Sequence, residues 1–388
     1  MEFSDVEELF WKMKKIHPNM FYHITEVQFL KELEKSKENW ENLDKYEKIY
    51  ELMRLDALLG DIHTNVIIPD WDKGFPFIPI KLKEGVFLLN IDKNSLDEKL
   101  LNSRIIKVNG VPVEEIIELA KRIFSSENPQ AQEADVAEKL DRPVLFKIIG
   151  ISKNDEPEFT LLQNDEEIVV KMKPRRLDQR PNWAVKLRKK YSYRVTKDYL
   201  YIDIKKFAEV KNNPLAKIYL EIYAAIKEDK PIIFDVRRNY GGDPEVFIPF
   251  CMKIPKNYKN GFCIMDNISA SASVDLVEVL RQVGFTLVGQ SIAQDSTYFA
   301  DAWEIQTSFG LKAKVSTALV EPYKEDSNSR VFSRSTNLYK RAIMPDVYIE
   351  PSIEDVKKGE DPCLNYCIAE VKKMERKIEK FEETEFVP

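Results

Sequence analysis

The chain has 388 residues, with 59 Lys and Arg against 65 Asp and Glu for a formal charge of −6, and it carries only 12 glycines and three histidines. This acidity argues against a nucleic acid or an anionic membrane surface as the main partner. A composition of 44% apolar and 32% charged residues describes a soluble globular protein long enough for two or three domains.

The opening Met1-Glu2-Phe3-Ser4-Asp5 places acids where a secretion signal carries basic residues, and no stretch reaches the ~18 apolar residues of a membrane span. A cytoplasmic protein without a membrane span is expected. Residues 1 to 60 read as helices: Phe10, Met13, Met20, Phe29, Leu30 and Leu33 recur at near-helical spacing, and Tyr46, Ile49, Tyr50, Met53, Leu55, Leu58 and Leu59 continue it. His17-Pro18-Asn19 breaks the first pair. In that turn His17 and His23 are expected to pack or cap.

From Phe75 to about Met172 the texture changes to short strands and turns, with one helical stretch, Val113 to Phe124, after Asn109-Gly110. The runs Gly85 to Ile91 and Leu101 to Val113 resemble a PDZ domain, a fold that captures an extended peptide along a strand edge. An Asn-Gly turn marks any tight hairpin, so a plain β-rich insert is the alternative. The basic stretch Lys173 to Arg176, continued by Arg180 and Lys186 to Lys190, reads as a solvated linker.

From Tyr199 the pattern becomes α/β. Strands are expected at Leu200 to Ile204, Ile232 to Val236, Gly261 to Met265 and Phe285 to Val288, with helices at Ala216 to Ile226 and Ser273 to Val283. Repeated β, turn, α units imply a mainly parallel layered sheet. Asp361 to Glu383 reads as a charged amphipathic helix docked on the surface. Cys251, Cys263, Cys363 and Cys367 are too few for a disulfide framework, and with three histidines they form no metal-ligand set. No phosphate-cradling glycine loop is present, so neither a metal nor another cofactor is expected.

Two junctions carry chemistry. The run Phe234 to Asp243 ends a buried strand in Gly241-Gly242, the only Gly-Gly pair. Two glycines leave backbone N–H groups uncovered, which suits an oxyanion, although a tight turn needs glycine for its dihedrals alone. Asp266-Asn267-Ile268-Ser269-Ala270-Ser271-Ala272-Ser273 then opens a helix, where an exposed serine hydroxyl gains from the helix N-terminus. Capping accounts for one such serine and hardly for three alternating with alanine.

At these residues the chain resembles the C-terminal-processing (tail-specific) serine peptidase family. The shared elements run in order: Gly60-Asp61-Ile62-His63-Thr64, Asp235 to Gly242, Asn267 to Ser273, Val288-Gly289-Gln290, and Pro345-Asp346-Val347 with Glu354 to Asp361. The resemblance implies a crotonase-like α/β core with a helical N-terminal part and an inserted PDZ-like domain, the divisions falling at 1–73, 74–175 and 176–388. It also implies a peptide or protein substrate, and a homo-oligomer is compatible with it. Carried over by motif, Ser271 is the nucleophile, and the N–H groups of Ala272 and of Gly241 or Gly242 form the oxyanion hole.

Two departures bear on activity. The tail-specific branch keeps a lysine base about 25 residues past the nucleophile, where Gly289 to Thr297 has none, and the family glutamate after the serines is Val274, with Asp275 next. The missing lysine moves the resemblance toward the tricorn-core and interphotoreceptor retinoid-binding protein branch, whose base is a histidine at the element matched by His63. His63 is then the base, although members that use lysine also carry a histidine there. Its near-neutral unperturbed pKa suits proton transfer. A carboxylate must fix its tautomer, and Glu321 is the choice among several acids of its region. A serine-type endopeptidase is therefore expected, with a catalytically inactive peptide-binding relative as the alternative.

Overall fold

The computed structural model describes residues 1–179, 181–187, 189–208, 214–256, 258, 260–321, 323–325, 332–334 and 342–384. The chain divides into two compact units, Met1–Leu187 with Tyr298–Val320, and Arg188–Thr297 with Glu321–Pro388.

The first unit begins with helices α1 (Phe3–Ile16), α2 (Glu26–Asn39) and α3 (Lys45–Ala57). Helix α1 stops because Pro18 drives the preceding His17 out of the helical region, to φ −64° and ψ 130°. Capping boxes start the next two, Thr25 with Gln28 and Asp44 with Glu47. Their apolar faces, including Leu9, Met13, Phe29, Leu52 and Leu55, and Trp40 just past α2, share one core with the strands that follow.

Five strands, β1 (Phe77–Leu82), β2 (Gly85–Ile91), β3 (Arg104–Val108), β4 (Glu158–Gln163) and β5 (Glu166–Lys171), pair antiparallel in that order, and Val111–Pro112 folds back on β3. That hairpin turns at Asn109 and Gly110, both at positive φ. Between β3 and β4 the sequence predicts one helix and the structure has three: α4 (Val113–Lys121), α5 (Pro129–Glu138) and α6 (Pro143–Ile148). The added pair has little periodicity to read, because α5 buries mainly alanines and α6 has only six residues. Each opens on a proline in its first turn.

The returning segment Tyr298–Val320 completes this unit. Its strands Trp303–Gln306 and Lys312–Val315 form an antiparallel sheet with Asn65–Ile67, placed directly after the His63 motif. Within the basic stretch, Arg175–Arg176 bridges Lys73–Gly74 as a short strand pair, so this part is held rather than a free linker. Arg180 and Arg188 lie outside the described residues.

In the second unit, β6 (Tyr191–Val195), β7 (Leu200–Ile204), β8 (Ile232–Asp235), β9 (Gly261–Met265), β10 (Thr286–Gly289) and β11 (Val347–Tyr348) stand in sequential order. The first pair is antiparallel and every later pair parallel. Helices α7 (Pro214–Lys227) and α8 (Ala272–Gln282) make crossovers of the parallel part. All residues of β8 and β9 are buried, which is why β9 reads as an unbroken apolar run and β8 as an apolar run up to its terminal Asp235. Helix α9 (Pro362–Thr384) docks through Cys363, Cys367 and Val371 onto a core with Tyr199, Ile233, Phe262, Ile264 and Val288. All four cysteines are free and buried. No helix among the described residues is long and apolar enough to cross a membrane.

Candidate active site

In the second unit, two strand-to-helix junctions converge. Strand β8 ends in Asp235, a buried carboxylate that accepts from Tyr201 Oη at 2.8 Å and pairs with Arg237, which reaches on to Asp361. Burial and the Asp235 charge push the Tyr201 phenol well up. Past Arg238, held at φ 56° by its N–H donated to Asp266, the chain reaches Asn239, which is fully buried.

Asn239 ties the two junctions together. Its Nδ2 donates to Ile204 O at 2.9 Å and its Oδ1 accepts Gly241 N–H at 2.8 Å. Its carbonyl accepts from Ala270 N and from Ser273 Oγ, each at 2.9 Å. Glycine at 241 is then obligatory. At φ 87° a Cβ there would stand 2.5 Å from Ser271 Cβ and 2.9 Å from Ala272 N. At Gly242 a Cβ would overlap the Phe207 carbonyl oxygen, which Asp243 N–H engages at 3.0 Å.

The three serines divide by role. Ser269 Oγ lies 2.8 Å from both Val236 O and Asp266 Oδ1, and Ser273 Oγ donates to Asn239 O, so both are structural ties. Ser271 holds the N-cap position of α8, yet its side chain makes no capping bond. Its backbone sits at φ 58° and ψ −128°, a strained setting that costs about 1–3 kcal/mol and occurs at strand-to-helix turns presenting a nucleophile. Gln294, fully buried, holds that setting by accepting Ser271 N–H on Oε1 at 2.5 Å. Ala272 N–H, at the first position of α8, precedes the helix's own hydrogen bonds, and Gly242 N–H points away from the Phe207 bridge. Gly241, Gly242, Ser271 and Ala272 are thus brought together.

His63 belongs to the first unit. Its backbone N–H donates to Asp61 Oδ1 at 2.8 Å, and its ring stacks on Tyr298 with centroids 6.0 Å apart and hydrogen-bonds the Phe299 backbone. Burial pulls its pKa below the ordinary 6.5, outweighing the nearby charges of Asp61 and Asp301, so the ring is neutral at neutral pH. Asp61 is the hub of this segment. Its Oδ2 accepts from His17 Nε2 at 3.1 Å and Ser316 Oγ at 2.6 Å. Burial pushes this carboxyl up, but the bonds from His17, Ser316 and Thr64 bring it down to about 2. His17 packs on Phe299 as well, in keeping with its expected structural role.

Glu321 stands half-buried where the chain re-enters the second unit. Sequence reading missed Asn239 and Gln294 as positioning groups. Asn239 could be noticed inside its motif, whereas Gln294 lies in a segment whose only visible feature is the missing lysine.

The sequence matches no known family model and no curated protein. Among solved structures it is similar to mature CPAF complexed with lactacystin, at 9% identity and TM-score 0.66 over 96% of this chain and 97% of that one. It is similar to a second structure of mature CPAF at 10% identity and TM-score 0.65, over 95% and 97%. The photosystem II D1 C-terminal processing protease covers 92% of this chain and 96% of its own at 12% identity, but its TM-score of 0.44 is too low to argue from. At such identities the likeness to CPAF shows a shared fold.

Proposed function

We propose that this chain is a serine-type endopeptidase acting through an acyl-enzyme on Ser271. The observation that carries it is the state of Ser271: strained, seated at a helix N-terminus against Gly241, and spared the structural bonds that absorb Ser269 and Ser273. Ser271 Oγ attacks the scissile carbonyl carbon while its proton passes to the neutral ring of His63. The Gly242 and Ala272 N–H groups hold the tetrahedral oxyanion, and Gly241 supplies the clearance, its own N–H being given to Asn239. The protonated His63 then gives its proton to the leaving amine, and water hydrolyses the acyl-enzyme by the reverse relay.

In this reading His63 is oriented by the Phe299 backbone, with Glu321 as the carboxylate candidate. The sequential parallel sheet supports a crotonase-like core, and the antiparallel sheet with its Asn-Gly hairpin supports a PDZ-like insert. We keep the divisions 1–73, 74–175 and 176–388 on that basis. Four free buried thiols suit a reducing, cytoplasmic setting.

One observation favours the inactive alternative: the segment past the nucleophile carries no lysine and is packed, with Ser296 bonded to Glu278 and Gln294 to Ser271. Fluorophosphonate labelling and peptide cleavage decide between the two, comparing wild type with Ser271→Ala and His63→Ala. Loss of both signals in both variants is expected. Labelling that survives Ser271→Ala removes the nucleophile assignment, and a wild type that neither labels nor cleaves favours the binding module.

A further inference from the structure

The loop that leads into α5 carries a third ligand-bearing side chain to the His63 segment. Asp61, His63 and Glu127 each present one nitrogen or oxygen, and these atoms lie within 4.8 Å of one another. Asp61 is 1% exposed and Glu127 8%, while His63 is half-buried. Local bonds build the placement. Asn128 Oδ1 caps α5 by accepting Gln130 N–H at 3.1 Å, Ser126 Oγ donates to Asn128 O at 2.9 Å, and Ile62 N–H faces Glu127 Oε1 at 3.5 Å. Asp61 is anchored from the other side by His17 and Ser316. Two carboxylates this close in a buried space repel each other, and a cation between them removes that cost.

We infer that Asp61, His63 and Glu127 form a binding site for a divalent transition-metal ion of the zinc class, with a fourth position open to water. An imidazole with two carboxylates suits Zn²⁺, whereas Ca²⁺ and Mg²⁺ take oxygen shells. Zinc bonds of about 2.0–2.2 Å bring ligand atoms to roughly 3.3–3.6 Å of one another, so the cluster closes by about 1 Å on binding. Glu127, on a loop, supplies that movement. The hydrogen bond between the His63 ring and the Phe299 backbone is a second pointer, because a ligating imidazole is ordinarily fixed by such a bond through its other nitrogen.

The consequence rests on the proposed role of His63. A metal on its ring occupies the lone pair that would accept the Ser271 proton, so zinc silences the peptidase and a chelator restores it.

The test is a calorimetric Zn²⁺ titration of the full chain without substrate, repeated on His63→Ala and Glu127→Gln with thermal melts to report folding. A single-site isotherm is expected, weakened by roughly 10-fold or more in each variant. Co²⁺ bound to the wild type should show no thiolate-to-metal charge-transfer band, a readout independent of whether the variants fold. Affinity unchanged in either folded variant, or a thiolate band, overturns the site. Cleavage is read separately. Zinc binding with no cleavage even by the chelated, metal-free chain keeps the site and counts against the peptidase, whereas cleavage by a chain that binds no zinc removes the site and keeps the peptidase.

Discussion

Gly241 lies against Ser271 so closely that any side chain at 241 would collide with the serine's Cβ. The backbone there also has φ 87°, which an L-residue adopts only under strain. Gly241→Ala should therefore lose about 1–3 kcal/mol of stability and most fluorophosphonate reactivity together. Urea unfolding and labelling rates measure the two. Full labelling in a stable variant would show that the junction tolerates a side chain.

The serines should separate by stability. Ser273→Ala removes a buried hydroxyl and leaves the Asn239 carbonyl one donor short, at a cost of about 1–2 kcal/mol. Ser271→Ala breaks no structural bond and should unfold within about 0.5 kcal/mol of wild type while losing all labelling. Paired denaturation curves check the contrast.

Gln294 should prove to be a positioning residue. Gln294→Ala leaves the Ser271 N–H without its acceptor and should cost about 1–3 kcal/mol, with kcat falling more than KM rises. Gln294→Glu keeps an acceptor and should recover much of kcat. Equal loss in both variants would mean that Gln294 only fills space.

The pH dependence has two limbs of known sign. His63 must be neutral to act as a base and its pKa is lowered, so the acidic limb of kcat/KM should have its midpoint below 6.5. Asp61 goes from an ordinary 3.8 to about 2 in the folded chain, so its stabilisation is fully present above the unfolded value and is lost as pH falls through the folded one. The difference corresponds to about 2 kcal/mol. Asp61→Asn should be less stable than wild type near neutrality, and the gap should narrow between about pH 4 and pH 2.

What could be read beforehand follows from where each signal resides. Strands Leu200–Ile204 and Gly261–Met265 appear in the structure with the bounds expected, because burial on both faces writes Gly261–Met265 as an unbroken apolar run and leaves Leu200–Ile204 apolar apart from Asp203. The Gly-Gly pair and the Ser-Ala alternation were legible because each is a local demand of a strand-to-helix turn. Helices α5 and α6 were not, since alanines and a six-residue span leave no period to detect. Glu127 and Gln294 were invisible for another reason. Their partners lie 64 and 23 residues away, so only the folded chain brings them together.

The discontinuity of the first unit orders its assembly in time. Strand Asn65–Ile67 finds its neighbour only at Lys312–Val315, and both Ser316 on Asp61 and the Phe299 backbone on His63 come from the same late segment. During synthesis from the N-terminus, the histidine pocket must wait for more than three-fifths of the chain to be made after it. A nascent chain halted before residue 298 has its histidine without the framework that holds it neutral and oriented, so this pocket is completed only after β6 to β10 of the second unit have been translated.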